Sequence, residues 1–455
     1  MSEPSVSSAA RSQPPSGGAD GRVHYSIVVL GLIILVVFSA LGLGRFGYTS
    51  ILPAMQEALG LSNTQTGVLQ SWNLLGYLAT VVVAGFLAAR FGPRVVISFA
   101  LLVAAAGMAL TGLIPTFRAA CVGRFLAGVG GAGSNVPAMA LVSAWFGKRR
   151  RGMATGLAAA GSSLGLMVTG PLIPAILERN GDGGWRVSWY VLGALTLVVF
   201  VAVALFLRNR PAEKGLCVIG ESDADRDASR SATARFSLNW GSVYRSGLLW
   251  KLAGIYFGFG FSYIIYSTFF VRYLTSEAGF TRTTAGALWM QIGVLSVVSG
   301  LLWGSVSDRW SRRAGLMWVF GLQGVAILLF GLSREAWSVY LSAALFAVTA
   351  WSVPALMAAL CGDLFGARLA PAALGLITMV FGLGQALGPY LAGAIADATR
   401  SYAVAFVVAG ATALTLGLGG SFTLQQGLTS ASPSDIGRGN HGLAPKTQSF
   451  QRDEP

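Results

Sequence analysis

The sequence predicts an all-α integral membrane protein whose twelve transmembrane helices form two pseudo-symmetric six-helix bundles. Three observations carry this reading: a scarcity of charge, a succession of long apolar runs, and an internal echo between the two halves. Charged residues make up 11% of the 455 residues and hydrophobic residues 54%. A soluble chain carries about 25% charged residues, so this one lacks the polar groups to cover a water-facing surface. Ile27 to Leu43 and Val187 to Leu207 hold no charge at all. Runs of about 20 apolar residues are what a helix needs to cross the hydrocarbon layer. Helices are the open-chain solution there, because each backbone polar group must be paired within its own segment.

Twelve such segments follow in order, at 25–56, 64–88, 94–114, 117–146, 154–177, 187–207, 249–274, 284–306, 314–333, 336–362, 371–396 and 401–424. The division that results is an N-terminal tail (1–24), a first bundle (25–207), a polar linker (208–248), a second bundle (249–424) and a C-terminal tail (425–455). Both tails have the Ser, Pro and Gly content of disordered segments. The first apolar run is too long for a cleaved leader and has no small-residue cleavage site after it.

The net charge of +14 would suggest nucleic acid in a soluble chain. Here it follows topology, because Lys and Arg collect in cytoplasmic loops. With the N-terminus inside, 23 of the 32 basic residues fall on the inner side and 7 on the outer side. Both termini and the linker are therefore expected in the cytoplasm. The run Lys148 to Arg151 enforces that topology and is also suited to anionic lipid heads.

Shifting the sequence by 219 residues overlays the halves. Gly85 falls on Gly304, Arg90 on Arg309, Arg94 on Arg313 and Gly165 on Gly384, while Gly170-Pro171 meets Gly388-Pro389 at a shift of 218. Such repeats are the scaffold of alternating access, in which a site between two halves opens first to one side and then to the other. The loop after segment 2 reads Gly85-Phe-Leu-Ala-Ala-Arg-Phe-Gly-Pro-Arg94, and that after segment 8 reads Gly304-Ser-Val-Ser-Asp-Arg-Trp-Ser-Arg-Arg313. Both resemble the signature G-x-x-x-D-R-x-G-R-R of the major facilitator superfamily. Segment 4 carries Arg124-Phe-Leu-Ala-Gly128-Val-Gly130, similar to that family's R-x-x-x-G-x-G pattern. From Tyr25 to Leu424 the chain thus resembles a superfamily transporter. Gly42-Leu-Gly-Arg45-Phe-Gly-Tyr48 to Pro53 and the stretch Arg210 to Leu216 are similar to the YbfB-type branch, the latter also to monocarboxylate/oxalate-type carriers.

The resemblance implies a gating role for Gly85, Arg90, Arg94, Gly304, Asp308, Arg309 and Arg313, whose contacts would hold the inner face closed. Ala89 stands where the first signature has Asp, so any relay in that loop lacks its carboxylate. Gly165, Gly170, Pro171, Gly384, Gly388 and Pro389 are expected at helix-packing positions.

Candidate substrate contacts are the polar and aromatic residues near segment middles. Arg45 leads, about 19 residues into segment 1 and roughly 28 Å along a helix axis. A charge inside a membrane segment costs about 3 kcal/mol on insertion scales and survives by facing a cavity or a partner. Arg124 enters segment 4 at a comparable depth. The 18 acidic residues lie in tails, loops or helix ends. Two intramembrane guanidinium groups without an intramembrane carboxylate suit an anionic substrate, which Arg grips with parallel hydrogen bonds. The plainer alternative has Arg124 capping carbonyls and Arg45 snorkelling outward. Tyr48, Tyr77, Asn135, Tyr263, Tyr266, Gln291, Trp351 and Gln385 complete the set, each equally open to a packing role.

The expected function is secondary transport of a small organic anion such as a monocarboxylate. Efflux of drugs, sugars or hydrophobic solutes is the alternative, and a non-transporting sensor or scaffold is the rival class. Both proton and counter-anion coupling are compatible with these residues. No enzyme, cofactor, metal or nucleic-acid partner is expected. His24, His441 and the scattered Cys121, Cys217 and Cys361 form no ligand or nucleophile pattern. A monomer in a bacterial inner membrane is the anticipated setting.

Overall fold

The computed structural model describes residues 24–113, 115–216, 218–220 and 244–424. The calls on both tails and on most of the linker lie outside the described residues. Twelve long helices run through the rest: α1 (Tyr25–Leu59), α2 (Asn63–Phe91), α3 (Pro93–Leu113), α4 (Phe117–Trp145), α5 (Lys148–Asn180), α6 (Gly184–Phe206), α7 (Gly247–Ser276), α8 (Arg282–Arg309), α9 (Arg312–Leu332), α10 (Ala336–Gly366), α11 (Leu369–Thr399) and α12 (Ala403–Phe422). Each of the twelve apolar segments became one helix. Local chemistry ends them where expected. Gly60, at φ 59°, stops α1, and Ser62 with Gln65 forms the capping box that starts α2. Gly366, at φ 68°, separates α10 from α11.

Helices α1–α6 form one bundle and α7–α12 the other. They meet through three pairs: α2 with α11, α5 with α8, and α1 with α7. Helices in lipid associate through close packing rather than the hydrophobic effect, which favours glycine at contacts. A Cβ on Gly67 would overlap the Pro389 carbonyl, and one on Gly286 would overlap the Gly170 carbonyl. These contacts are the same contact twice. Gly67 and Gly286 differ by 219 positions, and so do Gly170 and Pro389. Gly165 packs on Gly42 of α1 and Gly384 on Phe257 of α7, while Gly388 fits beneath Ile264. Pro171 is exposed on α5.

The duplicated contact ends in a duplicated clasp. Thr64 Oγ1 and the Asn63 and Thr64 amides donate to the Asp397 carboxylate, at 2.5, 2.9 and 2.8 Å. On the other diagonal, Thr283 Oγ1 donates to Glu178 at 2.7 Å. Thr64 and Thr283, like Glu178 and Asp397, are 219 positions apart. In each case an acid at the end of one helix meets the first turn of a helix in the other half, where unpaired amides and the helix dipole favour negative charge. Glu57 adds ion pairs to Arg282 at 3.0 Å and Arg272 at 3.8 Å.

The opposite end, carrying the signature loops, is different. Among the described residues, the hydrogen bonds and ion pairs joining the halves lie between the bundle's middle and the clasp end. A Cβ on Gly85, Gly152, Gly300, Gly304 or Gly375 would meet nothing. Arg94 donates to the Ala204 carbonyl of α6, and Arg313 to the Ser421 and Phe422 carbonyls of α12, each at 3.2 Å. Each thus ties its signature loop to the last helix of its own half. Asp308 pairs with Arg312, which also binds Asp363 at 2.9 Å. Arg90 lies over the neighbouring Phe91 ring. The halves are therefore joined at the clasp end and separate at the signature-loop end.

This geometry predicts that Gly67→Leu combined with Gly286→Leu drives the clasp end apart, whereas Gly304→Leu does not. Spin labels at positions 182 and 335, in exposed clasp-end loops of opposite halves, should report a longer distance in the first variant and an unchanged one in the second.

Candidate substrate site at the bundle interface

Helix α1 does not run as a regular α-helix. Phe38–Phe46 is a π-helical stretch, and the Gly47 amide bonds the Gly42 carbonyl five residues back. Glycines at 42 and 44 permit this. Gly42 lets α1 meet α5 backbone to backbone, and π turns of this kind are frequent at functional sites. The stretch frees the Gly44 carbonyl and sets Arg45 at the interface between the halves.

The two intramembrane arginines have opposite environments. Arg124 is fully buried. Its Nη1 donates to the Gly44 carbonyl at 2.7 Å and its Nη2 to Gln70 Oε1 at 2.7 Å. The guanidinium lies 4.7 Å from the Tyr48 ring centroid and 5.1 Å from that of Trp189. Arg124 is walled in by its own half, its two Nη groups bonded there and its Nε without a partner. Arg45 is nearly as buried, 6% exposed, yet its Nη2 has no hydrogen-bond partner. It rests over the Tyr77 ring at 4.5 Å, and the next residue, Phe46, lies 5.2 Å from Trp351, which meets the Tyr263 ring of the other half edge-on at 6.4 Å. Among the described residues no carboxylate pairs with either arginine.

Around Arg45 the structure gathers five of the other predicted residues. Asn135 Nδ2 donates to the Tyr77 hydroxyl at 2.9 Å. Gln385 Nε2 donates to the Tyr263 hydroxyl. Trp351 stands at a break in α10, stacks beside Phe46 at 5.2 Å and donates from Nε1 to Ser163 Oγ at 3.0 Å. Ser163 in turn meets Ser296 at 2.8 Å. This Trp–Ser–Ser bridge crosses the halves beside the site.

Three other predicted residues are placed elsewhere, and Arg124, although adjacent, makes its bonds within its own half. Tyr266 points into the core of the second bundle, bonded to Ser342 at 2.9 Å amid Phe270, Phe330 and Phe346. Tyr48 donates to the Thr66 carbonyl at 2.8 Å and stacks with Trp189, so it supports Arg124. Gln291 is exposed on the face of α8 that carries Val294, Leu295 and Val298, away from the α5 contact at Gly293. Gln70, Ser163, Ser296 and Phe46 were not foreseen. Gln70 could have been, because an amide within an apolar segment needs a partner. The serines carry no such signal.

Two bundles with a cationic site between them define a membrane transporter. The family model described as "Uncharacterised MFS-type transporter YbfB" matches residues 37–419, and the chain belongs to that family. Among curated proteins, the probable sulfoacetate transporter SauU of Cupriavidus necator is 27% identical over 447 residues, covering 93% of this chain and 99% of that one. The oxalate:formate antiporter of Oxalobacter formigenes is 24% identical over 70% of this chain and 72% of its own. Among solved structures, a bacterial homolog of the human lysosomal transporter Spinster, inward-facing and unoccupied, superposes with a TM-score of 0.70 at 16% identity, over 90% and 99% of the two chains. That likeness concerns the fold.

The contrast between the arginines predicts opposite stability effects. Arg124→Ala orphans the Gly44 carbonyl and Gln70, and should cost about 3 kcal/mol. Arg45→Ala removes an unpartnered buried charge and should leave the ligand-free protein at least as stable as the wild type. Thermal unfolding of both variants in detergent checks the sign of each change.

Proposed function

We propose that the protein is a secondary transporter of a small organic anion, a monocarboxylate in the simplest case, working by alternating access. The observation that carries the reading is Arg45. It is a buried guanidinium at the junction of the halves, with a free Nη2 and, among the described residues, no carboxylate paired with it. A charge left unpartnered at membrane depth is costly, and an anionic ligand supplies what is missing. The printed names of relatives, a sulfoacetate transporter and an oxalate:formate antiporter, support this class.

The balance of 23 basic residues on the signature-loop side to 7 on the clasp side favours a cytoplasmic signature-loop face. In that orientation the halves part toward the cytoplasm. Closing that side would bring the loops at Gly85 and Gly304 together, with Arg90 and Arg309 placed to bridge them. The Thr64–Asp397 and Thr283–Glu178 clasps would part in exchange. The acids sit at helix ends, so a coupling proton would travel on the substrate or be replaced by a counter-anion.

The test is thermal stabilisation of purified protein by acetate, lactate, oxalate and sulfoacetate, beside glucose and a lipophilic cation. A ligand at 100 times its Kd adds about 2.7 kcal/mol. At least one anion should raise the melting temperature of the wild type and fail to raise that of Arg45→Ala. A shift given only by the sugar or the cation, and kept in the variant, would contradict the reading and favour efflux.

A further inference from the structure

Beside Arg45 the site contains the same device twice, once in each half. In the first bundle the Asn135 amide of α4 donates to the Tyr77 hydroxyl of α2. In the second the Gln385 amide of α11 donates to the Tyr263 hydroxyl of α7. A phenol has a single O–H proton. An amide N–H occupies a lone pair on each hydroxyl oxygen and leaves that proton to find another acceptor. Neither hydroxyl donates to a protein acceptor among the described residues. Among the described residues three donors thus lack a protein acceptor: Arg45 Nη2, the Tyr77 hydroxyl beneath that guanidinium, and the Tyr263 hydroxyl, whose ring meets Trp351 beside Phe46. Two belong to the first half and one to the second.

The repeat does not explain this. At the 219-residue shift Tyr77 and Asn135 fall on Ser296 and Pro354, whereas Tyr263 and Gln385 fall on Gly44 and Leu166. The clasps recur at the 219-residue shift, but the amide–phenol pairs occupy unrelated positions. Packing also holds the rings where the hydroxyls are needed. Tyr77 lies beneath the Arg45 guanidinium. Tyr263 stacks on Phe259 at 4.8 Å and on Phe381 at 6.2 Å.

We propose that Tyr77 and Tyr263 determine headgroup specificity by donating, one from each half, to the oxygens of the same carboxylate or sulfonate held by Arg45. This deepens the anion-carrier reading and rests on it. The arrangement selects an acceptor-only headgroup with at least two oxygens. An ammonium or amide group would turn donors toward donors, and a buried polar group left unpaired is strongly disfavoured. An anion held in this way also joins the halves at mid-depth, so that occupancy and the relative position of the bundles depend on each other.

The test uses the acetate, lactate, oxalate and sulfoacetate panel on the full chain, with Kd read by calorimetry. Tyr77→Phe and Tyr263→Phe keep the rings and delete only the hydroxyls; each orphans one amide donor, so the ligand-free melting temperature should fall slightly, and Kd is compared where every variant is folded. Each should weaken the best anion of the panel about tenfold, and the pair about a hundredfold, as expected for lost charge-assisted hydrogen bonds. Arg45→Ala should abolish binding. Wild-type affinity in both Tyr→Phe variants, with binding still lost in Arg45→Ala, would overturn the role of the phenols and leave the anion reading standing. Failure of every anion to bind the wild type would overturn both.

Discussion

The constraint that organises this molecule is positive charge in a membrane interior without a negative partner. A guanidinium cannot shed its proton there, so protein groups or a ligand must answer it. Arg124 is answered internally, by the Gly44 carbonyl, by Gln70 and by two aromatic faces. Among the described residues Arg45 lies over the Tyr77 ring and keeps a free donor at Nη2. The π-helical stretch of α1 connects the two. It presents the Gly44 carbonyl to Arg124 and, one residue on, aims Arg45 at the interface. The arginine bonded within its own half thereby fixes the backbone that carries the one at the interface.

The surrounding architecture positions that charge between the two bundles. Among the described residues, glycine-mediated contacts at Gly67 and Gly286, with the acid clasps beyond them, join the bundles at one end, and the Trp351–Ser163–Ser296 bridge joins them at mid-depth. Backbone-to-backbone approach is intolerant of added atoms, so these contacts are either made or lost. That is a suitable basis for two discrete arrangements rather than a continuum. The clasp carboxylates are exposed and sit on helix N-termini. Their bonds compete with water and can break without stranding a buried charge.

Much of the fold was legible because lipid imposes a length. Twelve apolar runs could only be twelve helices, and the 219-residue echo could only mean paired bundles. The candidate site was legible in part. Arg45 stood out as a charge at mid-segment, and Tyr77, Asn135, Tyr263, Gln385 and Trp351 as polar or aromatic groups at similar depth. Which face each occupied was not. Lipid is as apolar as the bundle interior, so hydrophobic periodicity does not separate Tyr263, at the interface, from Tyr266, in a core. Gln291 shows the same ambiguity on α8, where an amide falls on an exposed face. The π stretch at Phe38–Phe46 was legible only as a run of small residues around Arg45; its position coincides with the meeting of Gly42 and Gly165 across two helices.

The central claim is that Arg45 holds the transported anion. Counterflow of radiolabelled sulfoacetate or oxalate in proteoliposomes addresses it most directly, because it requires binding and passage of the same molecule. The account predicts counterflow with the wild type and none with Arg45→Ala of equal melting temperature. Counterflow by the variant at the wild-type rate would contradict it.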